Sequence, residues 1–99
     1  MTTTHDLVLR HEPDQQRFVA ELPQGSGVLE YRQRPDGTLD YYHTFVPDAL
    51  RGRGVASRLV KFALDHALEH GLRVIPSCPF VAAVIDRNDK YRGVLAQAS

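Results

Sequence analysis

Arg51-Gly52-Arg53-Gly54-Val55-Ala56-Ser57 sets two glycines and two arginines directly before a long helical pattern. That arrangement can hold a pyrophosphate. The glycines let the backbone turn with its amides pointing inward. The first helical turn behind them supplies unpaired N–H groups and the positive end of the helix dipole, so an anion is stabilised without any side chain. Arg51, Arg53 and Arg58 add fixed positive charge. Cys78 is the second residue suited to chemistry. It precedes Pro79, a residue favoured at the first position of a helix, and a thiol capping that helix would be shifted toward the nucleophilic thiolate. Such a thiolate is a candidate nucleophile, while an unreactive buried cysteine is simply a small hydrophobe. His43 is the third, since an imidazole near neutral pKa can deprotonate an incoming amine. A histidine on a strand also serves merely to hydrogen-bond within a sheet.

Other chemistries fit less well. The glycine string is one glycine short of a dinucleotide fingerprint, and no G-K-[ST] follows it. His66 and His70 are four apart on the helix and could meet one metal, but the sequence places no third ligand, so they read as solvated residues near a helix C-terminus. Tyr91 reads as a packing residue. No aromatic block or broad basic face accompanies the arginine loop, which argues against nucleic acid.

The chain of 99 residues suits one domain, with a core that removes roughly 60 to 70% of the unfolded surface from water. Hydrophobic residues at 42% and charged residues at 24% mark a globular composition. Twelve basic and twelve acidic residues cancel, so neither general nucleic-acid binding nor a membrane surface is expected. One cysteine allows no internal disulfide, and no leader or long apolar run appears near the start. A reducing cytoplasm is the expected location, with residues 1–6 a polar tail and residues 7–99 the domain.

The elements that must position these residues can be read from periodicity. Residues 7–9, 17–22, 28–34 and 38–46 carry strand character and are separated by turn-rich segments around Pro13, Pro23 and Pro35, which predicts an antiparallel meander. On the fourth strand Leu39, Tyr41, His43 and Phe45 would share one face and Asp40, Tyr42, Thr44 and Val46 the other, with the core face left open. From Val55 to His70 the period becomes helical, with Ala56, Leu59, Val60, Ala63, Leu64, Ala67 and Leu68 as the apolar stripe. Gly71 stops the helix, and residues 72–75 form a fifth strand, parallel to the fourth. Pro76 must weaken that pairing. A further apolar helix starts at Pro79.

Taken in order, His43-Thr44-Phe45-Val46-Pro47, the glycine loop and Ile75-Pro76-Ser77-Cys78 resemble the acetyl-coenzyme A site of the GCN5-related N-acetyltransferases, in particular a small single-domain branch. The likeness covers residues 28–95. The resemblance implies a compact α/β fold: a mostly antiparallel sheet, a splayed parallel fourth and fifth strand pair, and two main helices. It implies acetyl-coenzyme A as the bound coenzyme, its pyrophosphate on Arg51, Gly52, Arg53, Gly54, Val55, Ala56 and Ser57. The pantetheine arm would lie along Phe45 and Val46, with Cys78 near the thiol end. It further implies acetyl transfer to an amine of a small molecule or polypeptide, with Cys78 and His43 as candidate catalytic residues. A backbone amide of Phe45 or Val46 would stabilise the oxyanion. Full-length members carry helices between the first two strands and further strands after the last helix, for which this chain has little room. That implies an open acceptor surface or a homodimer that completes it. A coenzyme A-binding sensor or accessory module without efficient catalysis is the alternative.

Overall fold

The computed structural model describes residues 7–52 and 54–96, so the N-terminal tail and Arg53 lie outside the described residues. Five strands, β1 (Val8–Glu12), β2 (Arg17–Leu22), β3 (Gly25–Gln33), β4 (Leu39–Phe45) and β5 (Val74–Ile75), form one sheet in chain order. The first three pairings are antiparallel and β4–β5 is parallel, as the sequence predicts. Helix α1 (Val55–Glu69) links β4 to β5, and α2 (Pro79–Arg87) follows β5. Short 3-10 turns occupy Pro13–Gln15, Asp48–Leu50 and Asp89–Val94. Among the described residues no helix is long and apolar enough to cross a membrane.

Strand β3 begins at Gly25, three residues earlier than the sequence suggests, because glycines 25 and 27 pair with β2 instead of forming the turn. Only Pro23 and Gln24 lie between the strands. Gly27 is required by packing. A Cβ there would sit 3.1 Å from Val46 Cγ2 and 3.2 Å from the Phe45 carbonyl oxygen, so the bare backbone lets the end of β4 lie close across β3.

The expected alternation on β4 fails in its middle. Tyr31 of β3 lies opposite Tyr41, but the preceding Glu30 lies opposite His43, so Tyr42 is an extra residue in a β-bulge. A bulge of one residue exchanges the two faces beyond it. Leu39 and Tyr41 are buried beneath the helices, yet His43 is exposed and Phe45 is 51% exposed, while Thr44 and Val46 turn to the helix side. His43 and Phe45 therefore do not share a face with Leu39 and Tyr41. The Tyr41 hydroxyl donates to the Ala63 carbonyl of α1 at 2.7 Å and pins the strand to the helix just before the bulge.

Helix α1 buries Val55, Leu59, Val60, Ala63, Leu64 and Ala67. Leu68 falls at the edge of the stripe and is 38% exposed, which departs from the predicted face. The helix ends where Gly71 adopts a left-handed φ of 65°, and the Gly71 and Leu72 amides donate back to the Leu68 and Ala67 carbonyls. Leu72 thus belongs to the helix stop, which shortens β5 to two residues. The C-terminal segment returns beside β5, with Leu95 bridging Val74 and the Ala96 amide donating to the Val74 carbonyl at 2.9 Å. Val81, Val84 and Ile85 of α2, with Tyr91 and Val94, complete a core shared with Phe18, Leu29 and Tyr31 of the sheet.

His66 is not a solvated residue. Its ring packs 4.5 Å from His11, 5.4 Å from Phe18 and 4.3 Å from His70, and His11 stacks on Phe18 and hydrogen-bonds the Tyr31 hydroxyl at 2.6 Å. Burial, with a smaller contribution from neighbouring imidazoles, holds the His11 and His66 pKa values below the ordinary histidine range. The unfolded chain then binds more protons than the native state as pH falls through ~6.5, so stability is full above that pH and declines below it. The melting temperature is expected to drop between pH 7.5 and 5, and to drop less in His66→Phe, which keeps the stacking without the charge. Equal pH slopes in the two proteins would contradict this.

Candidate functional site

Strands β4 and β5 part soon after they meet. The Leu39 amide donates to the Arg73 carbonyl at 2.8 Å, and the Cys78 amide donates to the Tyr41 carbonyl at 3.0 Å. Between these two bonds Pro76 has no N–H to give, and the Ser77 amide folds back onto the Ile75 carbonyl. Cys78 is then the N-cap of α2, with Pro79 in the first turn, so the chain leaves the sheet. Tyr42 to Phe45 consequently have no β5 partner. The result is a fork whose closed end is the Tyr41–Cys78 bond.

The bulge turns Thr44 into this fork. Cys78, 7% exposed, directs its thiol at the Thr44 hydroxyl, with Sγ to Oγ1 at 3.5 Å. Burial alone would push the thiol pKa up. The Thr44 hydroxyl and the amides of Val81, Phe80 and Thr44 outweigh it, so the pKa lies below the ordinary thiol value. The sulfur closes no full capping hydrogen bond, so this help comes from amides aimed near it at the positive end of α2.

The other wall is the start of α1. Beyond Val46, the turn at 48–50 is anchored by fully buried Leu50. Arg51 Nε donates to the Val46 carbonyl at 3.3 Å, and the same guanidinium pairs with Asp48 at 3.1 Å. That ion pair is largely exposed and worth little, leaving the guanidinium free to face another anion. Gly52 and Gly54 take left-handed φ values of 81° and 75°, and a Cβ on either would meet nothing within 4 Å. Gly54 is the N-cap and offers no side chain. No acidic residue occupies the first turn, and the first helical bond runs from the Arg58 amide to the Gly54 carbonyl. The amides of Val55, Ala56 and Ser57 therefore lack intrahelical acceptors, and no acidic side chain in that first turn quenches the dipole.

Between the walls lies a cleft of about 270 Å³ lined by Thr44, Val46, Arg51, Ala56 and Phe80. Ala56 and Phe80 are each the second residue of their helix, so two positive helix ends meet at one cavity. Two other clefts, of about 160 Å³ at Ala67–Gly93 and about 230 Å³ at Leu9, Arg58 and Asp65, lie away from the fork.

Of the residues expected from sequence, Val46, Arg51 and Ala56 line the cleft, Gly52, Gly54, Val55 and Ser57 form the adjoining turn, and Cys78 lies against Thr44. Arg53 is outside the described residues. Phe45 turns its ring to the opposite face of the sheet, as does His43, which lies across from Glu30. Thr44 and Phe80 were not singled out by sequence reasoning. Phe80 was reachable, since Pro79 at the helix start fixes it in the first turn, whereas Thr44 enters only through the bulge. Tyr91 is 1% exposed and its hydroxyl donates to Asp65 at 2.9 Å. Asp65 is ten residues along α1 from Val55, roughly 15 Å from that helix start, so Tyr91 is held well away from the α1 end of the cleft. Among the described residues no three histidine, cysteine or acidic side chains are grouped to hold a metal ion.

The sequence model of the family described as GCN5-related N-acetyl-transferase matches residues 17–94. Protein NATD1 of Xenopus tropicalis is 31% identical over 90 residues, covering 89% of this chain and 83% of that protein. NATD1 of Bos taurus is 34% identical over 82 residues, covering 81% and 73%. In three dimensions the chain is similar to the solution structure of a GCN5-like protein from Staphylococcus aureus, with a TM-score of 0.71, 26% identity, and coverage of 95% and 92%.

Proposed function

The chain belongs to the GCN5-related N-acetyltransferase family, and on that premise we propose that it binds acetyl-coenzyme A in the fork and transfers the acetyl group to an amine. The observation that carries this reading is the uncapped, acid-free start of α1 behind an open glycine turn, opening onto a cleft lined by Thr44, against whose hydroxyl the Cys78 thiol lies. The residues present fit the coenzyme. Backbone amides of Val55, Ala56 and Ser57 and the Arg51 guanidinium would hold the pyrophosphate, and Arg53, next along the sequence from Gly52, would add charge. The unpaired edge of β4 at Thr44 to Val46 would receive the pantetheine amides. Cys78 would line the far end.

Bound acetyl-coenzyme A supplies the activated acetyl thioester. The chain orients it on the helix side of the sheet and leaves the opposite face to the acceptor. His43 lies on that face, where it would take the proton that an ammonium must lose before its nitrogen can attack. Overall, an ammonium and the thioester become an amide, a free thiol and one proton. The lowered thiol of Cys78 keeps a second reading, covalent transfer through that sulfur, chemically open.

Thiol release from acetyl-coenzyme A, followed against a panel of aliphatic amines and amino-terminal peptides, tests the activity. Release that rises with amine concentration is expected. Tight binding without thiol release above the uncatalysed background would identify the chain instead as a coenzyme A sensor or accessory module, a reading favoured by the bare 3-10 link between β1 and β2.

A further inference from the structure

A cleft of about 230 Å³ lies between β1 and the outer flank of α1, lined by Leu9, Arg58, Lys61, Phe62 and Asp65. Lys61, Phe62 and Asp65 follow Arg58 by three, four and seven positions, so the four share one face of the helix. Half-buried Leu9 and Phe62 give the cleft an apolar floor, and Arg58 and Lys61 stand exposed around it. Neither cation enters an ion pair among the described residues. Asp65 is the acidic residue of the lining, and its carboxylate already accepts from the Tyr91 hydroxyl at 2.9 Å and pairs with Lys90 at 3.7 Å. Two uncommitted positive charges beside an apolar surface suit an amphiphilic anion.

The helix itself points to the occupant. Ala56 lines the fork cleft, and Arg58, two residues on, projects about 200° around the helix from it. The two clefts thus flank the start of α1 on opposite sides. A pyrophosphate on the Val55, Ala56 and Ser57 amides has two substituents, and with the pantetheine arm in the fork the nucleotide is carried toward the other flank. We propose that this flank holds the nucleotide end of the coenzyme, with Arg58 and Lys61 reading its 3′-phosphate and the adenosine lying over Leu9 and Phe62. The inference rests on the fork being the coenzyme site. Arg58 starts about 4.5 Å along the helix axis from Val55, and Lys61 the same distance further, within reach of side chains of their length. A phosphate monoester carries about 1.5 to 2 negative charges near neutral pH, so it is the group that two free cations distinguish best.

Calorimetry with coenzyme A and 3′-dephospho-coenzyme A tests this. The wild type is expected to bind coenzyme A roughly tenfold tighter, a modest factor because both cations are exposed to solvent. In the double variant carrying Arg58→Gln and Lys61→Gln the two ligands should bind alike, with the affinity for the dephospho form kept at its wild-type level. Amide shifts supply a second readout: Leu9 and Phe62 should move with coenzyme A and stay still with phosphopantetheine, which lacks the nucleotide. Equal wild-type affinity for coenzyme A and its dephospho form, a preference that survives in the double variant, or Leu9 and Phe62 amides unmoved by coenzyme A would each overturn the assignment. Any of these with coenzyme A still bound sinks this inference alone, whereas no binding of either ligand by the wild type sinks the fork as the coenzyme site and this inference with it.

Discussion

Gly54→Asp is expected to fold and to lose at least about a hundredfold in coenzyme A affinity. Folding survives because a Cβ at Gly54 meets no atom within 4 Å and the residue belongs to a surface turn. The left-handed φ of 75° costs a non-glycine residue roughly 1–2 kcal/mol, and aspartate tolerates it better than most. Binding fails for electrostatic reasons. The carboxylate would stand at the mouth of the Val55, Ala56 and Ser57 amides, where it competes for the N–H donors and repels the phosphates. Gly54→Ala isolates the backbone cost, since it carries the same φ strain without the charge, and should lose far less. Calorimetry on the three proteins, each checked for a cooperative melt, decides the matter. Similar affinities in wild type and Gly54→Asp would place the pyrophosphate elsewhere.

Coenzyme A disulfide should label Cys78 nearly completely at neutral pH. Attack by the Cys78 thiolate on the disulfide forms a protein–coenzyme A disulfide and releases one coenzyme A thiolate, so no further oxidant is needed. Two features drive the reaction. The lowered pKa favours the thiolate, and on the proposed reading the adjoining cleft would hold the reagent with its sulfurs near Thr44. Mass spectrometry should find one adduct, absent in Cys78→Ala and suppressed by excess acetyl-coenzyme A, whereas a small disulfide lacking the nucleotide should react much more slowly. Cys78→Ala is nonetheless expected to retain acetyl transfer, because positioning by the fork does not require the sulfur. Loss of transfer in that variant, together with an acetyl mass on the wild type before any amine is added, would assign covalent catalysis to Cys78 instead.

Much of this fold could be read from residue patterns, and the exceptions share a physical cause. The helix from Val55 is set by a period that its own side chains carry, and its stop by the conformational freedom of Gly71. The parallel pairing of β4 with β5 follows from a helix lying between them. The glycine loop, Cys78 and Val46 were legible because each sits at a boundary marked by glycine or proline. The bulge at Tyr42 was not. Its presence depends on how Glu30 and Tyr31 pair across the sheet, a relation between distant segments that no alternation within β4 records. That one residue reassigns His43 and Phe45 to the sheet face away from the helices and brings Thr44 to the sulfur of Cys78. The packing of His66 was hidden for the same reason, since its partners His11 and Phe18 come from the first two strands. Gly25 and Gly27 misled in the opposite direction, because glycine marks close backbone approach as well as turns.

Amide chemical-shift mapping with coenzyme A tests the central claim most directly. As the coenzyme is titrated in, the amides of Thr44, Val55, Ala56, Ser57, Phe80 and Val81 should shift together along one saturable curve, with those around Gly71 and Gly93 unmoved. Absence of any saturable shift, or shifts confined to the cleft at Leu72, Arg73 and Val94, would contradict the assignment of the fork as the coenzyme site.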